Sequence, residues 1–194
     1  MRTASRSLAA ALALLILSAA PLQAQRPQVR EGFWIGFGFG YGSLGASCDG
    51  CADIDREGGA TFHLRMGGTL APNLLLGGEL NGWATDNSSF GTEIVAANAS
   101  AAVYFYPMAT GGLFLKGGLG FATYSEQNGG ELTSDGVGLL LGGGYDIRVS
   151  RNFSLTPVVS FYLGTGGDLE FDGTTVAEGW NQNVIEFALG FTFH

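Results

Sequence analysis

The stretch FWIGFGFGYG, residues 33 to 42, decides how this chain is read. An aromatic or aliphatic side chain stands at every second position: Phe33, Ile35, Phe37, Phe39 and Tyr41. Between them lie Trp34 and then only Gly36, Gly38, Gly40 and Gly42. A period of two is the signature of a strand, whose successive side chains point to opposite faces. This strand is apolar on one face and nearly bare on the other. A soluble sheet usually hides its apolar face in a core and shows water a polar one, so the bare face needs a different explanation.

Alternation recurs, and it predicts eight strands at approximately 32–45, 60–70, 74–85, 94–106, 113–125, 136–148, 153–163 and 182–193. No amphipathic helical stretch, with apolar residues at i, i+3, i+4 and i+7 and polar ones opposite, is evident. The connections alternate in length. Ala71-Pro72-Asn73, PMATGG (107–112) and VSRN (149–152) are tight, whereas ASCDGCADIDREGG, DNSSFGT, EQNGGELTSD and GTGGDLEFDGTTVAEG are long and polar. A meander with short turns at one end and long loops at the other is the pattern of a bacterial outer-membrane barrel, and eight is its smallest strand number. The expected fold is therefore all-β: an eight-stranded, antiparallel, up-and-down transmembrane β-barrel.

The two faces agree with that assignment. The bulkier set, taken as lipid-facing, includes Phe62, Leu64, Met66, Leu113, Leu119, Phe121, Val137, Leu139, Val159, Phe161, Ile185, Phe187 and Leu189, and it holds no charge. The fourth strand presents alanines there instead, Ala97, Ala99 and Ala101. Ionisable residues take the opposite parity: His63, Arg65, Glu79, Lys116, Asp146, Arg148 and Glu186. Lipid outside then accounts for the opening stretch, with Phe33 to Phe39 in hydrocarbon and Tyr41 near an interface. The glycines face a lumen in which eight strands leave room only for side chains.

The start of the chain reads as an export signal. Arg2 and Arg6 precede the apolar run LAAALALLILSAA (8–20), and Leu22-Gln23-Ala24 offers a cleavage site before Gln25. The run is shorter than the ~20 apolar residues that span a bilayer. The expected organisation is a cleaved signal peptide at 1–24, a short periplasmic segment at 25–31 and one barrel domain at 32–194. Losing Arg2 and Arg6 takes the formal charge from −8 to −10, which excludes nucleic acid as the expected partner.

The turn at Ala71-Pro72-Asn73, with Leu70 and Leu74 as its flanking pair, sets a register in which Arg65 faces Glu79 and His63 faces Asn81. Arg65 and Glu79 are expected to form a charge-assisted pair. Arg65, Lys116 and Arg148 then balance Glu79, Asp146 and Glu186 inside. This polar network reads as a plug that fixes the register, or alternatively as a constriction of a narrow ion or small-solute channel.

Export places Cys48 and Cys51, a C-D-G-C, in an oxidising compartment. A local disulfide is expected, with a free or metal-bound pair as the alternative. Carboxylates crowd the long loops, where Asp53, Asp55 and Glu57 are a candidate set of oxygen ligands without the EF-hand order. No metal or cofactor is expected. His63 and His194 are the only histidines, no G-x-S-x-G occurs, and GGTLAPN lacks the G-K-[ST] of a P-loop; the protein is expected not to be an enzyme.

The chain resembles the small outer-membrane β-barrel family of the OmpA-barrel and OmpX type. The carriers are the leader, the eight alternating strands, GGGYDIRVSRNFSLTPVVSFYL, and the terminal strand EFALGFTFH. That strand is similar to the C-terminal signal read by the barrel-assembly machinery, through Glu186, Ala188, Phe191 and Phe193, and it ends on His194 rather than on the aromatic. The resemblance implies an outer-membrane location in a Gram-negative-type envelope, contact with lipid and lipopolysaccharide, and a structural or cell-surface interaction role with an unidentified ligand. Gly32-Phe33-Trp34 also resembles the G-x-W opening of lipocalins, soluble exported barrels with an apolar interior. Charges inside and leucine and phenylalanine outside invert that pattern.

Overall fold

The structure, a computed structural model, describes residues 30–51, 55–87, 92–127 and 130–194. The expected signal peptide (1–24) and most of the N-terminal segment lie outside the described residues. Among the described residues the elements are all strands: β1 (Phe33–Ser47), β2 (Glu57–Ala71), β3 (Leu74–Asn87), β4 (Thr92–Phe105), β5 (Leu113–Gln127), β6 (Glu131–Tyr145), β7 (Ile147–Ser150), β8 (Phe153–Phe171) and β9 (Thr174–Phe193). Strands adjacent in the chain pair antiparallel, except β6 and β7, which both pair with β8. The pairings β1–β9 and β6–β8 close the sheet into a ring of eight staves, β7 being the continuation of β6. Closure leaves no edge strand exposed.

Parity sorts the side chains as the alternation requires. Phe121 is 77% exposed and Phe33 64%, while Trp34 is 2% exposed and Glu79 1%. Phe39, Tyr41, Leu115, Leu119, Val137 and Phe187 extend this outward apolar band around the ring. In water so large an apolar surface would drive association. In hydrocarbon it is the solvated surface, and the closed ladder pairs backbone groups from strand to strand around the ring.

Three expectations are corrected. The strands are longer than the alternation indicates, at 14 to 20 residues apart from the short β7, where ~9–11 suffice to cross a bilayer. GTGGDLEFDGTTVAEG is not a loop but the far end of the β8–β9 hairpin, turned by Asp172 and Gly173 with φ of 47° and 78°. Positive φ at both positions is the two-residue turn that Asp-Gly favours. Beyond the bilayer both faces of a strand are wet, so hydrophobic alternation fades while the ladder continues.

The second correction is the sixth strand, which breaks at Asp146 between β6 and β7. The Asp146 amide donates to the Gly112 carbonyl at 2.9 Å, and its side chain is fully buried. Third, Leu74 pairs with Ala71 rather than Leu70, and the shift between Thr69 and Ala71 restores the expected register above it. Arg65 does stand opposite Glu79, and His63 opposite Asn81.

The bare face of β1 has a definite use. Gly36 pairs with Arg65 and Gly38 with His63 on β2, while on the other side the same glycines pair with Thr192 and Gly190 on β9. A methyl group at Gly38 would lie 2.6 Å from the His63 ring and 2.8 Å from the Gly190 Cα. The missing side chains on β1 therefore let residues of β2 reach β9 across it. Gly142, the ladder neighbour of Lys116 on β6, leaves room for that side chain, since a methyl group there would meet the Lys116 Cε at 2.9 Å.

Gly38→Ala is expected to lower barrel stability by about 1–3 kcal/mol, the usual range for overpacking. Gly78→Ala, where the nearest atom is 3.9 Å from the added methyl, should be neutral. Urea unfolding of both variants checks this; equal midpoints would contradict the packing role.

Candidate functional site

The lumen carries the chemistry-bearing side chains, stacked in tiers from the turn end to the hairpin end. In the lowest tier, Asp146 is the hub. Tyr106 Oη donates to Asp146 Oδ2 at 2.8 Å and Thr156 Oγ1 to Oδ1 at 2.9 Å. The Arg30 and Arg65 guanidinium groups each approach the carboxylate at 3.9 Å, and His194 Nε2 lies at 3.7 Å. Arg30 also stacks on the Tyr106 ring at 3.5 Å and donates to the carbonyls of Ala109 (2.9 Å) and Gly111 (2.6 Å). Arg65 donates to Thr192 Oγ1 at 2.7 Å and lies over the Phe114 ring at 4.9 Å. Trp34 and Tyr104 meet edge to face, with ring centres 4.8 Å apart, and Tyr104 leads into Phe114 at 6.1 Å.

The middle tier holds one ion pair and one histidine–carboxylate contact. Lys116 Nζ donates to Glu79 Oε1, which also accepts from Asn81 Nδ2 at 2.9 Å, while Tyr104 Oη donates to Glu79 Oε2 at 2.5 Å. His63 Nδ1 and Glu186 Oε1 are 2.9 Å apart and both are fully buried. Their contact crosses Gly38. Higher up, Asn98 Nδ2 reaches the Leu163 carbonyl at 3.5 Å and Gln182 Nε2 the Thr123 carbonyl at 2.9 Å. Each of these two bonds joins strands three staves apart, so the lumen is narrow enough for single side chains to bridge it.

The expected Arg65–Glu79 pair is therefore corrected. Although the two face each other in the ladder, Arg65 turns over Gly36 toward Thr192 and Asp146, and Lys116 from β5 takes the hydrogen bond to Glu79. A small residue on the intervening strand, Ala102, leaves the space for that reach. Arg148 is not among the buried inward cations: it is half-buried at the turn end and donates to the Arg151 carbonyl at 2.9 Å. Arg30, assigned by sequence to a segment outside the barrel, takes its place at 2% exposure.

The aromatic part of the filling, Trp34, Tyr104, Tyr106 and Phe114, was missed by a reading that followed charge alone. Parity was the available signal, since Tyr104 and Tyr106 share the phase of Ser100 and Phe114 that of Lys116.

Elsewhere, Cys48 and Cys51 are joined as a disulfide, with Cα atoms 5.3 Å apart. Phe191 and Phe193 point outward against Phe153, at ring distances of 5.8 and 5.0 Å, beside half-buried Ala188, while Glu186 points inward. Of the candidate loop ligands, Asp53 lies outside the described residues, Asp55 is exposed and Glu57 half-buried. Among the described residues no three acidic, histidine or cysteine side chains converge as metal ligands.

Lys116→Met would leave the Glu79 carboxylate buried without its cation, a loss on the order of 3–5 kcal/mol. Adding Glu79→Gln is expected to recover part of it, whereas combining Glu79→Gln with an Arg65 substitution should show weaker coupling. A double-mutant cycle on unfolding midpoints measures both, and stronger coupling to Arg65 would contradict the observed partner choice.

Solved structures share this architecture, Ail and Neisserial surface protein A among them. Ail, the attachment invasion locus protein of Yersinia pestis, superposes with a TM-score of 0.55 at 13% identity, over 84% of this chain and 99% of that one. Neisserial surface protein A gives 0.52 at 14% identity, over 86% and 99%. No curated protein matches the chain. The family model described as "Outer membrane protein beta-barrel domain" matches residues 9–193. With an apolar belt outside a closed ring and its charges paired inside, this chain belongs to the outer-membrane protein β-barrel domain family, and its place is the outer membrane of the Gram-negative envelope.

Proposed function

We propose that the protein is a closed, non-enzymatic barrel that acts at the cell surface through its projecting hairpins. One observation carries this reading: the cross-lumen plug in which Arg30, Arg65, Tyr106 and Thr156 converge on Asp146. An eight-stranded interior is about filled by side chains, and here paired charges and aromatic rings do the filling. Against catalysis stands the placement of His63, whose Nδ1 meets Glu186 while its other ring nitrogen lies against Gly38 and Gly190 rather than a nucleophile. The outward Phe191 and Phe193 on the last strand support recognition by the assembly machinery, and the apolar belt supports contact with lipopolysaccharide acyl chains.

Ail has been solved in complex with the heparin analogue sucrose octasulfate. A polysulfate needs cations to pair with. The hairpin end of this chain carries Asp49, Asp55, Glu57, Glu126, Asp168, Glu170 and Glu178, with Arg56 its one arginine among the described residues, so a polyanion is not the ligand we assign.

The alternative reading, a narrow channel, rests on the charge of the lumen. Planar-bilayer recording decides between them. The intact barrel is expected to be silent, and Arg30→Ala combined with Tyr106→Ala to open steady conductance steps. Steps of defined size from the unmodified barrel would overturn the closed reading.

A further inference from the structure

The hairpin end of the barrel contains a pocket of about 280 Å³ set inside the rim. Its floor is apolar and aromatic. Tyr124 and Trp180 are buried with ring centres 4.8 Å apart, and Leu44, Ile94 and Leu169 pack around them. Its rim is acidic, formed by Asp55, Glu57 and Glu126. Glu126 Oε2 accepts from the Tyr124 hydroxyl at 2.9 Å, which holds that ring upright in the wall. The Cys48–Cys51 disulfide closes one side.

Among the described residues, the arginine nearest this rim in sequence is turned away from it. Arg56 lies between Asp55 and Glu57 in sequence, yet those two line the pocket and Arg56 does not. Its Nε donates to Ser43 Oγ at 3.0 Å and its guanidinium bonds the Ser43 carbonyl and Asn183 Oδ1. No lysine or arginine lines the pocket among the described residues.

From this geometry we infer that the pocket binds small organic cations whose charge carries apolar substituents, alkylated ammonium groups above all. The three carboxylates supply the counter-charge, and the Tyr124 and Trp180 rings supply cation–π attraction and a surface for alkyl groups. A hydrated metal ion gains little from such a floor, and among the described residues the carboxylates do not converge as a ligand set. The volume suits a ligand smaller than a drug-sized one. This inference deepens the surface-facing reading and rests on it, yet fails separately from it: conductance tests that reading, ammonium binding tests this one.

The test is calorimetric titration of the folded protein in octyl glucoside, which carries no ammonium headgroup. Choline is the probe, with its uncharged analogue 3,3-dimethylbutan-1-ol and magnesium chloride as comparisons. Choline is expected to bind saturably at one site, the neutral analogue at least about tenfold more weakly. Glu57→Gln combined with Glu126→Gln, and separately Trp180→Leu, should each weaken choline about tenfold while the heat-shifted band of a folded barrel persists on gels. Absence of choline binding to the unmodified barrel overturns the inference. So does choline binding that Trp180→Leu leaves unchanged and magnesium abolishes, since that is the behaviour of an acidic surface alone. Should a variant fail to fold, the contrast between choline and its neutral analogue on the unmodified barrel still decides.

Discussion

An eight-stranded ring in a bilayer has hydrocarbon on its outside and almost no space within, and every other feature of this protein answers to that pair of limits. Charges placed in such a lumen have neither bulk water to solvate them nor distance to separate them, and a lone buried ion costs several kcal/mol. They persist by meeting partners. In this barrel Glu79 meets Lys116, Glu186 meets His63, and Asp146 gathers Arg30, Arg65, Tyr106 and Thr156. The Glu79–Lys116, Glu186–His63 and Tyr106–Asp146 contacts each pass over an intervening strand, whereas Thr156 meets Asp146 from the adjacent stave.

Glycine and alanine make that passage possible. Strand β1 places Gly36 and Gly38 between Arg65 and Thr192, and between His63 and the β9 wall. On the far side Ala102 leaves the way clear from Lys116 to Glu79. A residue with a larger side chain at these positions would occupy the space the long polar chains need. The apolar outer face and the glycine inner face of one strand are therefore parts of one solution, the first set by lipid and the second by the neighbours' charges.

The two ends of the barrel have different work to do. At the turn end, strand parity points the Asp146 carboxylate inward, where arginines and aromatic rings gather around it. At the hairpin end the strands continue well past the length a bilayer needs, and carry an aromatic hollow edged with carboxylates. A filled turn end and a shaped hollow at the other support the cell-surface role proposed above.

Strand number, order, facing and membrane placement were all legible in the residue pattern, because period-two alternation is a local property that lipid outside and side chains inside impose on every stave. The register of the β2–β3 hairpin was legible as well, and Arg65 does stand opposite Glu79. Who bonds whom was not. Arg65 prefers Asp146 and Thr192, Lys116 reaches Glu79 from two strands away, and Arg30 enters the floor from beyond the first strand. Such partners become neighbours when the ring closes and brings β5, β9 and the Asp146 break to within one side chain's reach. Alternation along a strand tells which way a side chain points; it carries no information about what stands on the other side of the lumen.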